Sequence, residues 1–209
     1  QRNVLETMKA CRGDYVAYLD GDDYWTHPHK LQRQFETLRD NPDSALVFHS
    51  SQMLYEHCRP GLLEPPYGGT HERYSLNDIL RKNFIAAQSV MVRREAVAWI
   101  PEWLFSHPDI PWDWPFFIAC ARHGDLLYIN ESMCAYRIHP QGLWSGQTAD
   151  VRLRALGEMF TEVKRELPPL YRFTLTKIQL KIELKRQLAQ LAPAALQRVQ
   201  RARQRLVGK

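Results

Sequence analysis

The sequence predicts a layered α/β fold, and three observations predict it. Short apolar or aromatic runs alternate along the chain with amphipathic patterns of helical period. The runs are bounded by Gly, Pro, Asn and Asp. The chain has 209 residues, 44% hydrophobic and 24% charged, enough for one good core and too few for two full domains. The composition divides it into a body over residues 1–150 and a helical, basic region over 151–209.

The elements follow in order. NVLETMKACRG reads as a short helix closed by Gly13. YVAYL follows as a buried strand. HPHKLQRQFETLRDNP carries Leu31, Phe35 and Leu38 at helical spacing, with Pro28 near its start and Pro42 past its end. SALVFHSSQML is a strand. Between Tyr55 and Tyr74 a connection rich in Gly, Pro and His shows no period, and a mobile substrate loop is expected there. SLNDILRKN opens on Ser75 and Asp78, the spacing of a capping box, and AAQSVMVRR follows as a strand. WDWPFFIACARHG is a helix ended by Gly124, and LLYI and CAYRIH are short strands. From Gln147 onward the pattern is helical, broken at Pro168-Pro169 and at Pro193.

The net charge of +5 conceals an asymmetry. Residues 171–209 hold ten Lys or Arg against Glu183 alone, a surplus of nine, which leaves residues 1–170 at −4. Cys11, Cys58, Cys120 and Cys134 lack Cys-x-x-Cys spacing and a nearby His pair, which argues against a zinc site or a disulfide framework and fits a reducing, cytoplasmic setting. The longest apolar run, FIAAQSVMV, falls far short of the roughly 20 residues that span a bilayer.

The most informative stretch is YVAYLDGDDYW, where a buried strand runs into Asp20, Asp22 and Asp23 around Gly21. Three carboxylates so close repel each other unless a cation neutralises them, and Mg²⁺ or Mn²⁺ suits oxygen ligands shared with a substrate phosphate. Open sheets bind ligands beyond the carboxyl ends of their strands, where this cluster is expected to fall. An ordinary Asp-Gly surface turn is the plainer reading. An EF-hand fits poorly, because Tyr24 and Trp25 interrupt the alternation of acids.

Arg2-Asn3, GDYVAYLDGDDYW, HPHKL and, later, WDWPFFIACARHGDLLYINESMCAYRIHPQGLWS together resemble the family 2 glycosyltransferases, inverting nucleotide-sugar transferases of the GT-A fold. The resemblance covers residues 1–146. It implies a partial GT-A fold, the Rossmann-like fold of nucleotide-diphospho-sugar transferases, over 1–150, followed by the helical region. The implied activity is inverting, metal-dependent transfer of a sugar from a nucleotide-diphosphate donor to a hydroxyl of a glycan or lipid-linked glycan. Members begin with further strands that hold the nucleobase, which these residues lack, so the expectation is a fragment wanting about 80 residues and inactive by itself.

The resemblance also implies roles. Asp22 and Asp20 are the expected ligands of Mg²⁺ or Mn²⁺, with Asp23, Arg2, Asn3 and Arg137 on the donor side; the alternative role for Asp20 or Asp23 is contact with the ribose. Arg137 and His139 alternate on a strand and share a face. His139 stands where related enzymes close the diphosphate site, sometimes as a further metal ligand; a structural hydrogen-bonding His is the alternative. Asp113, between Trp112 and Trp114, falls where the family places its catalytic base, although it is also placed to cap the helix that follows. Trp112 and Trp114 suit stacking on an acceptor sugar, and Met91 resembles part of the strand that borders the acceptor; aromatics in this number also build ordinary cores.

In the basic region Leu175, Ile178, Ile182 and Leu188 form an apolar stripe with cations elsewhere. Such a helix either lies on an anionic membrane, at the inner face of the cytoplasmic membrane in this reading, or packs on the body or a second copy. Nucleic acid is not an expected partner, since few aromatics interleave with the charges. Two rivals to the transferase remain: a non-catalytic module that keeps the fold for binding or membrane association, and a phosphohydrolase with an Asp-x-Asp pair. Asp23 and Tyr24 count against the second.

Overall fold

The computed structural model of the chain describes residues 2–55, 68–139, 141–142, 144 and 146–191. Most of the connection expected to be mobile, at 56–67, lies outside the described residues, as do Cys58, Pro193 and the tail beyond 191. The chain forms two compact units. The first runs through Ile138 and the second begins at His139.

The first unit is built on one sheet. It contains helix α1 (Arg2–Ala10), strands β1 (Tyr15–Ala17) and β2 (Tyr24–Trp25), helix α2 (Lys30–Arg39), strands β3 (Ser44–Tyr55) and β4 (Arg73–Tyr74), helix α3 (Leu76–Arg81), strand β5 (Met91–Arg93), helix α4 (Asp113–Cys120) and strand β6 (Asp125–Ile138). The sheet order is β1-β5-β3-β6-β2, with β4 also paired to β6. β3 and β6 are parallel and form the spine; every other pairing is antiparallel. LLYI and CAYRIH, expected as two short strands, are the two ends of the single 14-residue β6. The expected strand AAQSVMVRR is shorter in the structure, because Ala87–Ser89 makes a 3-10 turn before β5.

The core gathers Leu38 from α2, Val47 from β3, Met91 from β5 and Leu127 from β6, with Tyr15, Ala17 and Ile129 packed against it. α2 does not present the face its spacing suggests. Leu31 is exposed and Phe35 stays at the rim, where its ring meets Tyr15 edge-on at 5.2 Å. The buried face is Lys30, Gln34 and Leu38. Lys30 is satisfied there by Gln34 Oε1 at 2.7 Å and by the Trp25 ring at 4.2 Å, while the Gln34 amide donates to the Ser89 carbonyl at 2.7 Å. Burial lowers the Lys30 pKa to about 8. α4 is apolar on all sides and buried from Pro115 to Cys120, as a helix without a polar face must be.

The punctuation is partly as expected. The Asp78 carboxylate accepts from the Ser75 N–H at 2.9 Å and hydroxyl at 2.7 Å, the capping-box contact that starts α3. α1 ends at Ala10, so Gly13 does not close it. Gly124 follows α4, but backbone approach is what demands a glycine there: a Cβ would lie 2.2 Å from the Asp43 carbonyl oxygen and 3.0 Å from the Ala45 nitrogen. Gly124→Ala must therefore push β6 away from the start of β3. The expected cost is about 2–3 kcal/mol, read as a fall of roughly 5–10 °C in thermal midpoint.

The second unit contains α5 (Ala149–Glu166), a 3-10 turn at Pro169–Tyr171 and α6 (Arg172–Leu191). The Thr148 hydroxyl caps α5 by accepting from the Val151 N–H. The break at Pro168-Pro169 turns the chain back, so α5 and α6 are antiparallel. Lys164 bonds Thr176 at 2.8 Å near the turn, Gln179 bonds Thr161 at 3.0 Å, and Arg186 pairs with Asp150 at 3.1 Å at the open end. Leu175 is fully buried, and Ile182 lies opposite Gly157, 4.0 Å from where a Cβ would stand. Of the expected stripe, Leu175 is buried and Ile178 and Ile182 are half-buried on the α5 side, whereas Leu188 is 52% exposed; the neighbour is α5 of the same helical region, neither the body nor a second copy. Among the described residues no helix is long and apolar enough to cross a membrane.

Candidate active site

The site forms where β1 ends. Beyond Ala17 the chain continues through Tyr18 and Leu19 into a turn in which the Asp23 N–H donates to the Asp20 carbonyl at 3.2 Å. β2 then pairs with β6, Tyr24 opposite Ala135, and carries Asp23 to the next residue pair along β6. There the Arg137 backbone N–H donates to Asp23 Oδ1 at 2.8 Å. The far end of the turn is pinned by the Trp25 indole N–H, which donates to the Gln88 carbonyl at 3.1 Å.

Asp113 reaches the same place from α4. It is the first residue of that helix, with Trp112 at the N-cap, so its backbone is already helical and the expected side-chain N-cap is not made from this position. Its carboxylate does accept the N–H of Trp114, and Oδ2 accepts from the Asn83 amide at 3.2 Å. Asn83 is fixed in turn, since its Oδ1 accepts the Ile85 N–H at 3.1 Å. Trp114 is anchored by its indole N–H on the Ile79 carbonyl at 2.8 Å.

Two tyrosines join the turn to α4. The Tyr18 hydroxyl donates to Asp20 Oδ1, and its ring packs against Trp112 at 4.6 Å. Burial, and after it the charges of Asp113, Asp23, Asp20 and Asp22, push the phenol of Tyr136, on β6, up to about 12. Burial and Asp20 drive the Tyr18 phenol far higher, so it stays a donor at any ordinary pH. These tyrosines and Asn83 are site residues that sequence reasoning missed.

The carboxylates are held under tension. Burial, offset by the Tyr18 hydrogen bond and reinforced by Asp22, raises Asp20 above the usual carboxylate range. Burial raises Asp23 to about 6 against the pull of the Arg137 N–H, with Asp22 and Asp20 adding to it. Burial also raises Asp113 to about 6, and Asp20 contributes. Asp23 Oδ2 is buried with no hydrogen-bond partner.

A group whose folded pKa is raised binds extra protons in the folded state, so it costs stability above that pKa and the cost fades as pH falls from about 6 toward 4. Asp23→Asn keeps an acceptor for Arg137 and removes the charge. It is expected to stabilise the metal-free protein at pH 7 by about 1 kcal/mol, less than the full shift because Asp22 beside it is open to water. Thermal unfolding of both proteins from pH 4 to 8 checks this: the gain must shrink below pH 6.

The structure thus brings together Asp20, Asp22, Asp23, Asp113, the Arg137 backbone and Trp112. Arg2 and Asn3 are exposed on the first turn of α1. Met91 has its side chain in the core, 5% exposed. The Arg137 side chain is exposed. His139 begins the second unit, one residue past β6. Among the described residues no three His, Cys, Asp or Glu side chains are grouped so as to hold a metal ion by themselves.

Comparison with known proteins adds the following. The model of glycosyl transferase family 2 matches residues 1–98. The chain is 32% identical over 155 residues to an uncharacterized protein of Mycobacterium tuberculosis (strain ATCC 25618 / H37Rv) and equally to one of Mycobacterium bovis (strain ATCC BAA-935 / AF2122/97). Each match covers 72% of this chain and 42% of the relative, so the chain spans less than half the length of these relatives. In fold it is similar to a crystal structure of S. aureus TarS, residues 1–349, with a TM-score of 0.52 at 12% identity over 86% of this chain and 50% of that one.

Proposed function

Since the chain belongs, through residues 1–98, to glycosyl transferase family 2 and its α/β fold is of the GT-A kind, we propose that it transfers a sugar, with inversion, from a nucleoside-diphosphate donor to a hydroxyl of a glycan or lipid-linked glycan. The observation that carries this reading is the convergence of Asp113 with the Asp20–Asp23 turn across Tyr18.

Inverting transfer requires a group that takes the acceptor proton as oxygen attacks the anomeric carbon, on the face opposite the leaving diphosphate. Asp113 is suited to it. A pKa of about 6 leaves it ionised at neutral pH yet basic enough to accept a proton, and Asn83 with the Trp114 N–H fixes its direction. Trp112 and Trp114 flank it and supply apolar surface for an acceptor ring. As the acceptor hydroxyl attacks, its proton passes to Asp113 and the sugar–phosphate bond breaks toward the turn.

The turn fits a hard divalent cation. Its donors are all oxygen, their mutual repulsion needs a counter-charge, and Asp23 Oδ2 is buried and unpartnered. Asp22 and Asp20 would hold Mg²⁺ or Mn²⁺, and Asp23 would orient the donor's ribose. When bound, the ion supplies positive charge for the departing diphosphate. Arg2, Asn3 and Arg137 are the donor-side cations and polar groups of this reading. The test uses the full-length protein with a panel of nucleotide sugars and manganese, measuring released nucleoside diphosphate. Release that depends on acceptor supports transfer, and none with any donor overturns it.

A further inference from the structure

The stripe that faces α5 is not the only apolar row on α6. Phe173, Leu180 and Leu184 point the opposite way, joined by Leu188 and by Leu170 from the preceding turn, and every one is more than half exposed, from 52% at Leu188 to 73% at Leu170. Five large apolar side chains in one row on a solvent face are far more than scattered surface hydrophobics. Lys177 lies within the row with its ammonium 4.1 Å over the Phe173 ring, and Lys181 and Lys185 are exposed along one flank. The one acid of α6, Glu183, sits on the other flank, occupied with Arg186 and Gln187. The sequence then continues through residues 192–209 with five further Lys or Arg and no acid.

We infer that this outer face of α6 is a docking surface for an anionic lipid bilayer, with the helix lying in the plane of the interface. The row of Leu and Phe supplies the inserted face, and lysines at its edge reach the headgroups on long stems. A second copy of the chain is a poorer occupant. One row of five side chains is small against the roughly 20–30 residues a side of a standard interface, and an antiparallel pairing about a two-fold axis would set the lysine flank against itself. The inference is independent of the transfer reaction. It concerns a different surface, and its readout involves no donor or acceptor.

The experiment is flotation of the full-length protein with vesicles of phosphatidylcholine alone or with one-third phosphatidylglycerol, at low and high salt. Binding to the anionic vesicles is expected, with little to the neutral ones, and weakening as salt rises. Lys181→Ala with Lys185→Ala should weaken it by about 25-fold, since each cation near the surface is worth about fivefold. Leu180→Ser with Leu184→Ser should abolish it; both sites are exposed, and unchanged circular dichroism establishes that the fold survives. Equal binding to both vesicle types, no binding at all, or binding unchanged in the leucine variant overturns the inference. So does a concentration-dependent dimer that the leucine variant alone dissolves, which would give the face to a second copy.

Discussion

Replacing Asp113 by Asn in the full-length protein is expected to lower transfer by roughly 10²–10⁴-fold, the usual contribution of a positioned general base. Asn is nearly the same shape and keeps one acceptor oxygen, which retains the Trp114 N–H at the start of α4. Nucleotide affinity should change by no more than about twofold, because the loss belongs to the reaction and not to donor binding. The pH profile gives a second, sharper reading. Asp113 acts as a base only when ionised, so wild-type transfer must fall as pH drops through about 6. The hydrogen bond from Asn83 favours the charged carboxylate, hence Asn83→Ala should move this acid limb to higher pH while Asp113→Asn removes it. Transfer that survives in Asp113→Asn with its limb in place would leave Asp113 only a support for the start of α4.

How much of this was legible depends on how local each signal is. β3, the two ends of β6 and α4 were readable because a run of apolar residues between turn-formers has few other fates, and the Ser75/Asp78 cap because both partners lie within one turn; that the ends of β6 join into one strand was not. The face of α2 was not. Its apolar spacing points to Leu31, Phe35 and Leu38, whereas burial of Lys30 and Gln34 depends on their bond to each other and on Trp25 and the Ser89 carbonyl, from two other segments. On α6 two apolar rows share one helix, and periodicity alone does not say which of them meets α5; in the fold Leu175 is buried while Phe173, Leu180, Leu184 and Leu188 stay exposed. The site divides the same way. Asp20, Asp22 and Asp23 announce themselves because charge crowded after a buried strand is costly anywhere. Asp113 was reached by resemblance, and its support was not visible at all: Asn83 lies 30 residues away and Tyr136 on another strand, with nothing nearby to mark either.

Asp22→Ala tests the other half of the site and should give the opposite pattern. With manganese present, the full-length wild-type protein is expected to bind nucleoside diphosphate with measurable heat and to gain thermal stability, because the ion supplies a counter-charge to carboxylates that burial first, and their neighbours second, raise. Loss of a supporting partner of a metal ligand typically costs about 10–100-fold in affinity, so loss of a ligand itself should exceed that and leave no metal-dependent binding. The variant should also lose the stabilisation by manganese and nucleotide, while its metal-free thermal midpoint stays level or rises, since Asp22 is one of the charges disfavouring ionised Asp23. That combination separates a binding group from a structural one, which would lower the metal-free midpoint instead. If Asp22→Ala binds nucleotide and manganese as the wild type does, the ion is not held by this turn. The buried Oδ2 of Asp23 would then need another partner, and the carboxylates another reason to be brought together.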